Sequence, residues 1–308
     1  MTPAVEIHQL RKVYSGGVEA LKGIDLSVPV GEFFGLLGPN GAGKTTAIGI
    51  TTGLVRITEG TVKVMGWDVV RQFRQARRHI GLGAQELNFD HFFTIEDLML
   101  LQAGYYGVGR KVARQNMERL LKTFGLAAKR RSKPRQLSGG MKRRFQIARA
   151  LVHDPDIIIL DEPTAGVDVE LRHMLWDYLT RMNREGKTII LTTHYIEEAE
   201  KLCERVAIID LGRIIAVGSP DELKAGMDND GISLTVTSWN RDAAAILKDY
   251  RFEFIDENLL VYTSRPELQL TNIINLITST GVVVQDVKLR HSTLEDVFIK
   301  LTGHSIDE

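Results

Sequence analysis

The chain has 308 residues, 44% of them hydrophobic and 25% charged, with 39 Lys and Arg against 39 Asp and Glu. This mixture suits an ordinary globular protein of about two domains and excludes disordered, collagenous and coiled-coil classes. A balanced charge supplies no global field for polyanions, so no nucleic-acid partner is expected.

Cys203 is the single cysteine, which rules out an intrachain disulfide and fits a buried small hydrophobe in a reducing compartment. The apolar runs Phe33 to Leu37, Ile157 to Leu160 and Thr188 to Thr192 are far shorter than the roughly 20 residues that span a bilayer. Met1 to Leu10 lacks a secretory pattern, so the expected location is cytoplasmic, free or docked on a membrane.

In chain order, Val5 to Leu10 and Gly23 to Val30 predict two strands around a Gly16-Gly17 turn, giving an antiparallel edge. Phe33 to Leu37 predicts a buried strand that breaks at Gly38-Pro39-Asn40-Gly41, with a helix from Gly43. Residues 92 to 153 carry leucines at helical spacing. Ile157 to Leu160 and Thr188 to Leu191 predict buried strands joined by a helix from Val169 to Arg184, and therefore a parallel α/β core. Val206 to Ile209 and Gly212 to Val217 form a further strand pair.

Gly226 to Gly231 is rich in turn residues and predicts a linker. Beyond it the pattern restarts. Strands are predicted at Ile232 to Thr237, Leu259 to Thr263 and Val282 to Leu289, with helices at Arg241 to Tyr250, Pro266 to Thr280 and Ser292 to Leu301. Ser292 and Glu295 have capping-box spacing at the last helix start.

Gly38-Pro39-Asn40-Gly41-Ala42-Gly43-Lys44-Thr45 matches G-x-x-x-x-G-K-[ST]. Backbone N–H groups can close around phosphate oxygens only where side chains are absent, and the helix start adds a positive dipole end. Lys44 is the charge for the β- and γ-phosphates, Thr45 a hydroxyl ligand for Mg²⁺, and Thr46 a contact toward the α-phosphate. The strand Ile157 to Leu160 runs into Asp161-Glu162 at its carboxyl end, where open α/β sheets bind ligands. Asp161 is assigned to Mg²⁺ and Glu162 to the attacking water as general base.

Leu137-Ser138-Gly139-Gly140 precedes a helix that Ser138 can cap, making a second anion-binding helix start. Its position between the phosphate loop and the carboxylate strand resembles the ATP-binding cassette family over residues 5 to 225. Further positions match that family. Tyr14 resembles its adenine-stacking aromatic, Gln85 its Mg²⁺- and water-sensing glutamine, Asp168 the aspartate after the carboxylates, and His194 the histidine after the next strand. Met141 stands where many members have Gln, and Ala84 where Pro often precedes the glutamine.

The resemblance implies an α/β fold: a P-loop cassette with a mixed core sheet, antiparallel edge strands and a helical subdomain at about 86–150, followed by a small α+β domain. The expected division is 1–227 and 228–308. It further implies two copies paired head to tail, each ATP lying between one phosphate loop and the partner's Ser138, Gly139 and Gly140, with Asp168 coupling the two. ATP and Mg²⁺ are the expected cofactors, and integral-membrane permease subunits the expected partners.

Phe89, Phe92, Phe93, Tyr105 and Tyr106 lie in the segment that receives the permease in family members. The basic clusters Arg77-Arg78, Lys129-Arg130-Arg131 and Lys142-Arg143-Arg144 are expected as solvated helix faces. The tail Leu294 to Gly303 resembles the C-terminal extension of cassettes that serve drug, lipid or polysaccharide export. Export is the preferred reading. An importer ATPase with a regulatory tail and a soluble cassette acting on ribosomes or DNA are the alternatives. The latter usually carries tandem cassettes or a long coiled coil, whereas this chain has one phosphate loop and no sustained heptads.

Overall fold

The structure, a computed structural model, describes residues 2–165, 167–225, 227 and 229–306. Residues up to Pro220, together with Ile306, make one compact unit, and Asp221–Ser305 make another. The split falls before the expected 227/228 boundary because helix Pro220–Lys224 groups largely with the second unit. Gly226 and Asp228 of the expected linker lie outside the described residues.

The first unit begins with β1 (Val5–Val13) and β2 (Glu19–Val28), the expected antiparallel pair. β3 (Phe33–Leu37) is buried throughout and leads into α1 (Lys44–Thr51). Three short strands follow that the hydrophobic pattern does not reveal: β4 (Glu59–Val64), β5 (Trp67–Asp68) and, after α2 (Phe73–Arg78), β6 (Ile80–Gly83). Residues 94–151 hold α3 (Ile95–Tyr105), α4 (Arg110–Thr123) and α5 (Gly139–Ala150). The core then resumes with β7 (Ile157–Asp161), α6 (Val169–Arg184), β8 (Thr188–Thr193), α7 (Ile196–Leu202), β9 (Arg205–Asp210) and β10 (Arg213–Gly218).

The central sheet has the order β10-β9-β3-β8-β7-β6. Its pairs are parallel from β9 to β6, with β10 antiparallel at the edge. Continuous apolar strands such as β3, β7 and β8 are what a sheet covered on both faces requires. A second, antiparallel sheet runs β2-β1-β4-β5. The carboxyl ends of β3 and β7 therefore open at the same side of the central sheet. Cys203, packed beside Gly35 of β3, is 7% exposed, as the sequence led us to expect, and burial pushes its thiol pKa up.

The second unit takes in α8 (Pro220–Lys224) from Asp221 onward, then β11 (Gly231–Thr237), α9 (Arg241–Ile246), β12 (Phe252–Ile255), β13 (Asn258–Tyr262), α10 (Pro266–Thr278), β14 (Val283–Arg290) and α11 (Leu294–Thr302). The sheet order β12-β13-β11-β14, antiparallel throughout, is a split β-α-β-β-α-β arrangement. Strand β12 is an addition to the expected pattern. It joins β13 through Asp256-Glu257, both at positive φ. Such turns normally advertise themselves with Asn or Gly, so Asp-Glu hid this one. The expected capping box is also corrected: Thr293 and Asp296 form it, with Thr293 as N-cap. Ser292 is occupied elsewhere, its N–H and hydroxyl donating to Asp230 at 2.6 and 2.8 Å.

No helix among the described residues is long and apolar enough to cross a membrane.

Candidate active site

The loop between β3 and α1 is shaped by close packing beneath it. A Cβ on Gly38 would stand 2.1 Å from the Ile209 carbonyl oxygen, and one on Gly43, whose φ is 109°, 2.7 Å from that of Ala20. Only glycine meets both conditions. Lys44 is 4% exposed and its Nζ donates to the carbonyls of Gly38 and Pro39 at 2.6 and 2.9 Å. Burial lowers its pKa, with the Glu162 charge pushing back.

Glu162, 6% exposed, is where the separate sequence signals converge. Its Oε1 lies 3.5 Å from Lys44 Nζ, and its Oε2 accepts from Gln85 Nε2 at 3.0 Å. His194 Nδ1 lies 3.3 Å from Oε1, but out of line for a hydrogen bond, and this buried nitrogen has no hydrogen-bond partner among the described residues. The Glu162 backbone sits at φ 47°, a strained position for a residue with a Cβ, of the kind that clusters at functional sites. It is held there by its N–H, which donates to the Thr192 carbonyl and hydroxyl at 3.1 Å. Asp161 is 3% exposed and accepts from the Thr192 hydroxyl.

A cleft of about 190 Å³ opens here, lined by Pro39, Asn40, Gly41 and Gly43 of the loop, the first turn of α1 from Lys44 to Thr46, and Ala20, Gln85 and Glu162. At its margin the Tyr14 hydroxyl is 3.2 Å from Thr46 Oγ1, while the Tyr14 ring is 41% exposed with Lys12 Nζ 4.8 Å from its centre. The arrangement offers backbone donors and a cation for phosphates, an exposed ring for a base, and a carboxylate set to polarise water.

Ser138, Gly139 and Gly140 are not among the residues lining that cleft. Ser138 caps α5, accepting from Met141 N–H at 3.3 Å, and is exposed like Gly139. Asp168 caps α6, accepting from Leu171 N–H at 2.8 Å.

One expectation is overturned. Arg143, read as part of a solvated cluster, is 5% exposed, and its guanidinium bonds the backbone at the ends of both β6 and β7. A run of like charges cannot reveal which member its helix turns inward. Phe89 is buried against Phe145, whereas Phe92 and Tyr105 are 84% and 85% exposed. A groove of about 690 Å³ is lined by Phe73, Arg74, Arg77, Arg78, Tyr105 and Tyr106, among others.

Residues 21–165 match the family model described as ABC transporter. The chain is 37% identical over 312 residues to the Nod factor export ATP-binding protein I of Burkholderia orbicola (strain AU 1054), covering 99% of this chain and 98% of that one. The chain belongs to the ATP-binding cassette family. Solved structures agree. The structure of the ATP binding subunit of an ABC transporter superposes with a TM-score of 0.68 at 28% identity, over 72% of this cassette chain and 92% of that one. A dimeric post-hydrolysis state of the cassette MJ0796 bound to ADP and Pi does so with 0.65 at 30% identity, over 70% and 98%. This cassette protein accordingly binds and hydrolyses ATP, and proteins of its kind dimerise and act with membrane permeases.

Proposed function

We propose that this cassette works as a head-to-tail pair of its own copies and powers export through separate permease subunits, docked on the cytoplasmic face of the cell membrane. The observation that carries the pairing is Gly139. An added Cβ there would meet nothing within 4 Å, so no contact inside the chain asks for a residue that is less favourable in a helix than alanine by about 0.5–1 kcal/mol. A bare backbone at a capped helix start suits the close approach of an anion from outside. The γ-phosphate of ATP on a second copy's loop is such an anion. The solved dimer of MJ0796 supports the pairing, and the full-length similarity to a protein named for Nod factor export supports export.

In this reading Gly38, Asn40, Gly41 and Gly43 cradle the phosphates through backbone N–H groups, Lys44 neutralises the β- and γ-phosphates, and Thr46 reaches the α-phosphate side. Tyr14 stacks on adenine. Glu162 takes the proton of the attacking water. Gln85 and His194 hold that water and the terminal phosphate in register. Asp168 couples the paired sites. The donors for Mg²⁺ are the Thr45 hydroxyl, the Gln85 amide oxygen and Asp161. That hard, mostly neutral oxygen set fits a cation that keeps waters and is completed by phosphate oxygens. Bound there, Mg²⁺ supplies positive charge to the transferring phosphoryl oxygens. The 690 Å³ groove with its exposed rings is the surface offered to the permease.

Glu162→Gln tests the reading. With ATP and Mg²⁺ this variant should elute as a dimer in size-exclusion chromatography and turn over at least a hundredfold more slowly, on the scale of losing a general base. A monomer with normal turnover overturns both the base and the pairing.

A further inference from the structure

Arg143 lies on α5, five residues beyond the Ser138 cap, with 5% exposure. Its partners are carbonyl oxygens and one amide. Nε donates to Pro163 O at 2.7 Å, and Nη1 to Ala84 O, Gln85 O and Gln146 Oε1 at 2.9, 3.1 and 2.8 Å. Nη2 donates to Asp161 O at 3.1 Å and to Glu162 O. A guanidinium has five N–H groups in a rigid fork, and here all are spent on six acceptors. Three separate segments meet on this one side chain: the signature helix, the glutamine loop after β6, and the turn after β7. Gln146, 2% exposed, adds a second tie by donating to Glu86 O at 2.7 Å.

We propose that Arg143 is a positioning residue for hydrolysis, fixing the backbones of Gln85 and Glu162 to the signature helix so that a helix contacting the partner's nucleotide and the groups that orient water move as one body. The inference rests on the roles given above to Gln85 and Glu162. Among its five backbone acceptors are the peptide carbonyls of Gln85 and Glu162, the two residues whose side chains hydrogen-bond each other. Burial lowers the pKa of the guanidinium, while Asp161, Glu162 and Glu198 raise it. The site therefore balances a buried charge with carbonyl dipoles and a surrounding acidic field.

The test uses the full chain with Arg143→Lys and Gln146→Met, alongside Gln85→Ala and the double variant Gln85→Ala with Arg143→Lys. Nucleotide affinity, thermal midpoint, kcat and KM are measured for each. Lysine keeps the charge but cannot span six acceptors, so kcat should fall roughly ten- to a hundredfold while nucleotide affinity holds. Because Arg143 acts in part through Gln85, the combined loss in the double variant should fall clearly short of the product of the two single losses. A folded Arg143→Lys with unchanged kcat, or losses that multiply independently, overturns the proposal. Should Arg143→Lys fail to fold, Gln146→Met carries the test: a several-fold fall in kcat with intact affinity supports it, and unchanged kcat sinks it. Normal turnover in Gln85→Ala would instead show the underlying assignment to be wrong, and the inference would fall with it.

Discussion

Lys44 and Glu162 approach to 3.5 Å between Nζ and Oε1, with both side chains more than nine-tenths buried. The phosphate-loop lysine and the Glu162 carboxylate thus share one electrostatic unit, although one opens α1 and the other follows β7. In the proposed reading, replacing Lys44 by Met removes the cation from phosphates and carboxylate alike. Charged hydrogen bonds contribute about 1.5–3 kcal/mol, so ATP affinity should fall roughly ten- to a hundredfold in equilibrium dialysis. Unaltered affinity would rule out Lys44 as a phosphate ligand.

Gly139→Ala separates the partner's requirement from the chain's own. With open space at that Cβ, the unfolding free energy from denaturant titration should stay the same or rise slightly, by up to about 1 kcal/mol. Turnover should nevertheless drop. A variant as active as the parent would remove the case for close approach by a second nucleotide.

Shared sites can be complemented. Ser138→Arg chains and Lys44→Ala chains should each be inactive as homodimers, but a mixture contains pairs with one intact phosphate loop facing one intact signature. Partial recovery of ATP hydrolysis is expected, and a purified heterodimer with none would contradict the shared-site geometry.

His153 should make the fold acid-sensitive. Its ring stacks on Tyr106 at 3.6 Å, its Nε2 donates to Ile80 O at 3.0 Å, and burial pushes its pKa down to about 4, with the Ile80 contact and Asp154 opposing and Lys187 assisting. The unfolded chain takes up this proton near 6.5, so the unfolded state binds more protons between the two values. The stabilisation is complete above about pH 6.5 and is lost as pH falls toward 4. His153→Phe keeps the stack and drops the proton site, and should lose up to about 2 kcal/mol less than the parent between pH 7 and 5. Equal losses in urea titrations would refute the assignment.

In the second unit, Thr293→Ala should cost about 1 kcal/mol through the lost cap. Ser292→Ala should act through Asp230 instead. If hydrogen exchange showed the α11 N-terminus loosened by Ser292→Ala alone, the capping assignment would be wrong.

Local pattern alone carried much of this protein. The phosphate loop, the Asp161-Glu162 strand end and the signature are contiguous motifs whose chemistry depends on neighbours in sequence, and β3, β7 and β8 are continuous apolar runs that only a covered sheet accommodates. What needed the fold were relationships between distant residues. Arg143 is inside while Lys142 and Arg144 are partly exposed, because burial on α5 depends on which azimuth meets the carbonyls after β6 and β7. Strand β12 formed because β13 supplied a partner edge, despite a turn without glycine or asparagine. Ser292 lost the cap to Thr293 because Asp230 claimed its hydroxyl. Composition and spacing decide which groups a segment can offer, whereas three-dimensional packing decides which partner takes them, since each donor and each face can be used only once.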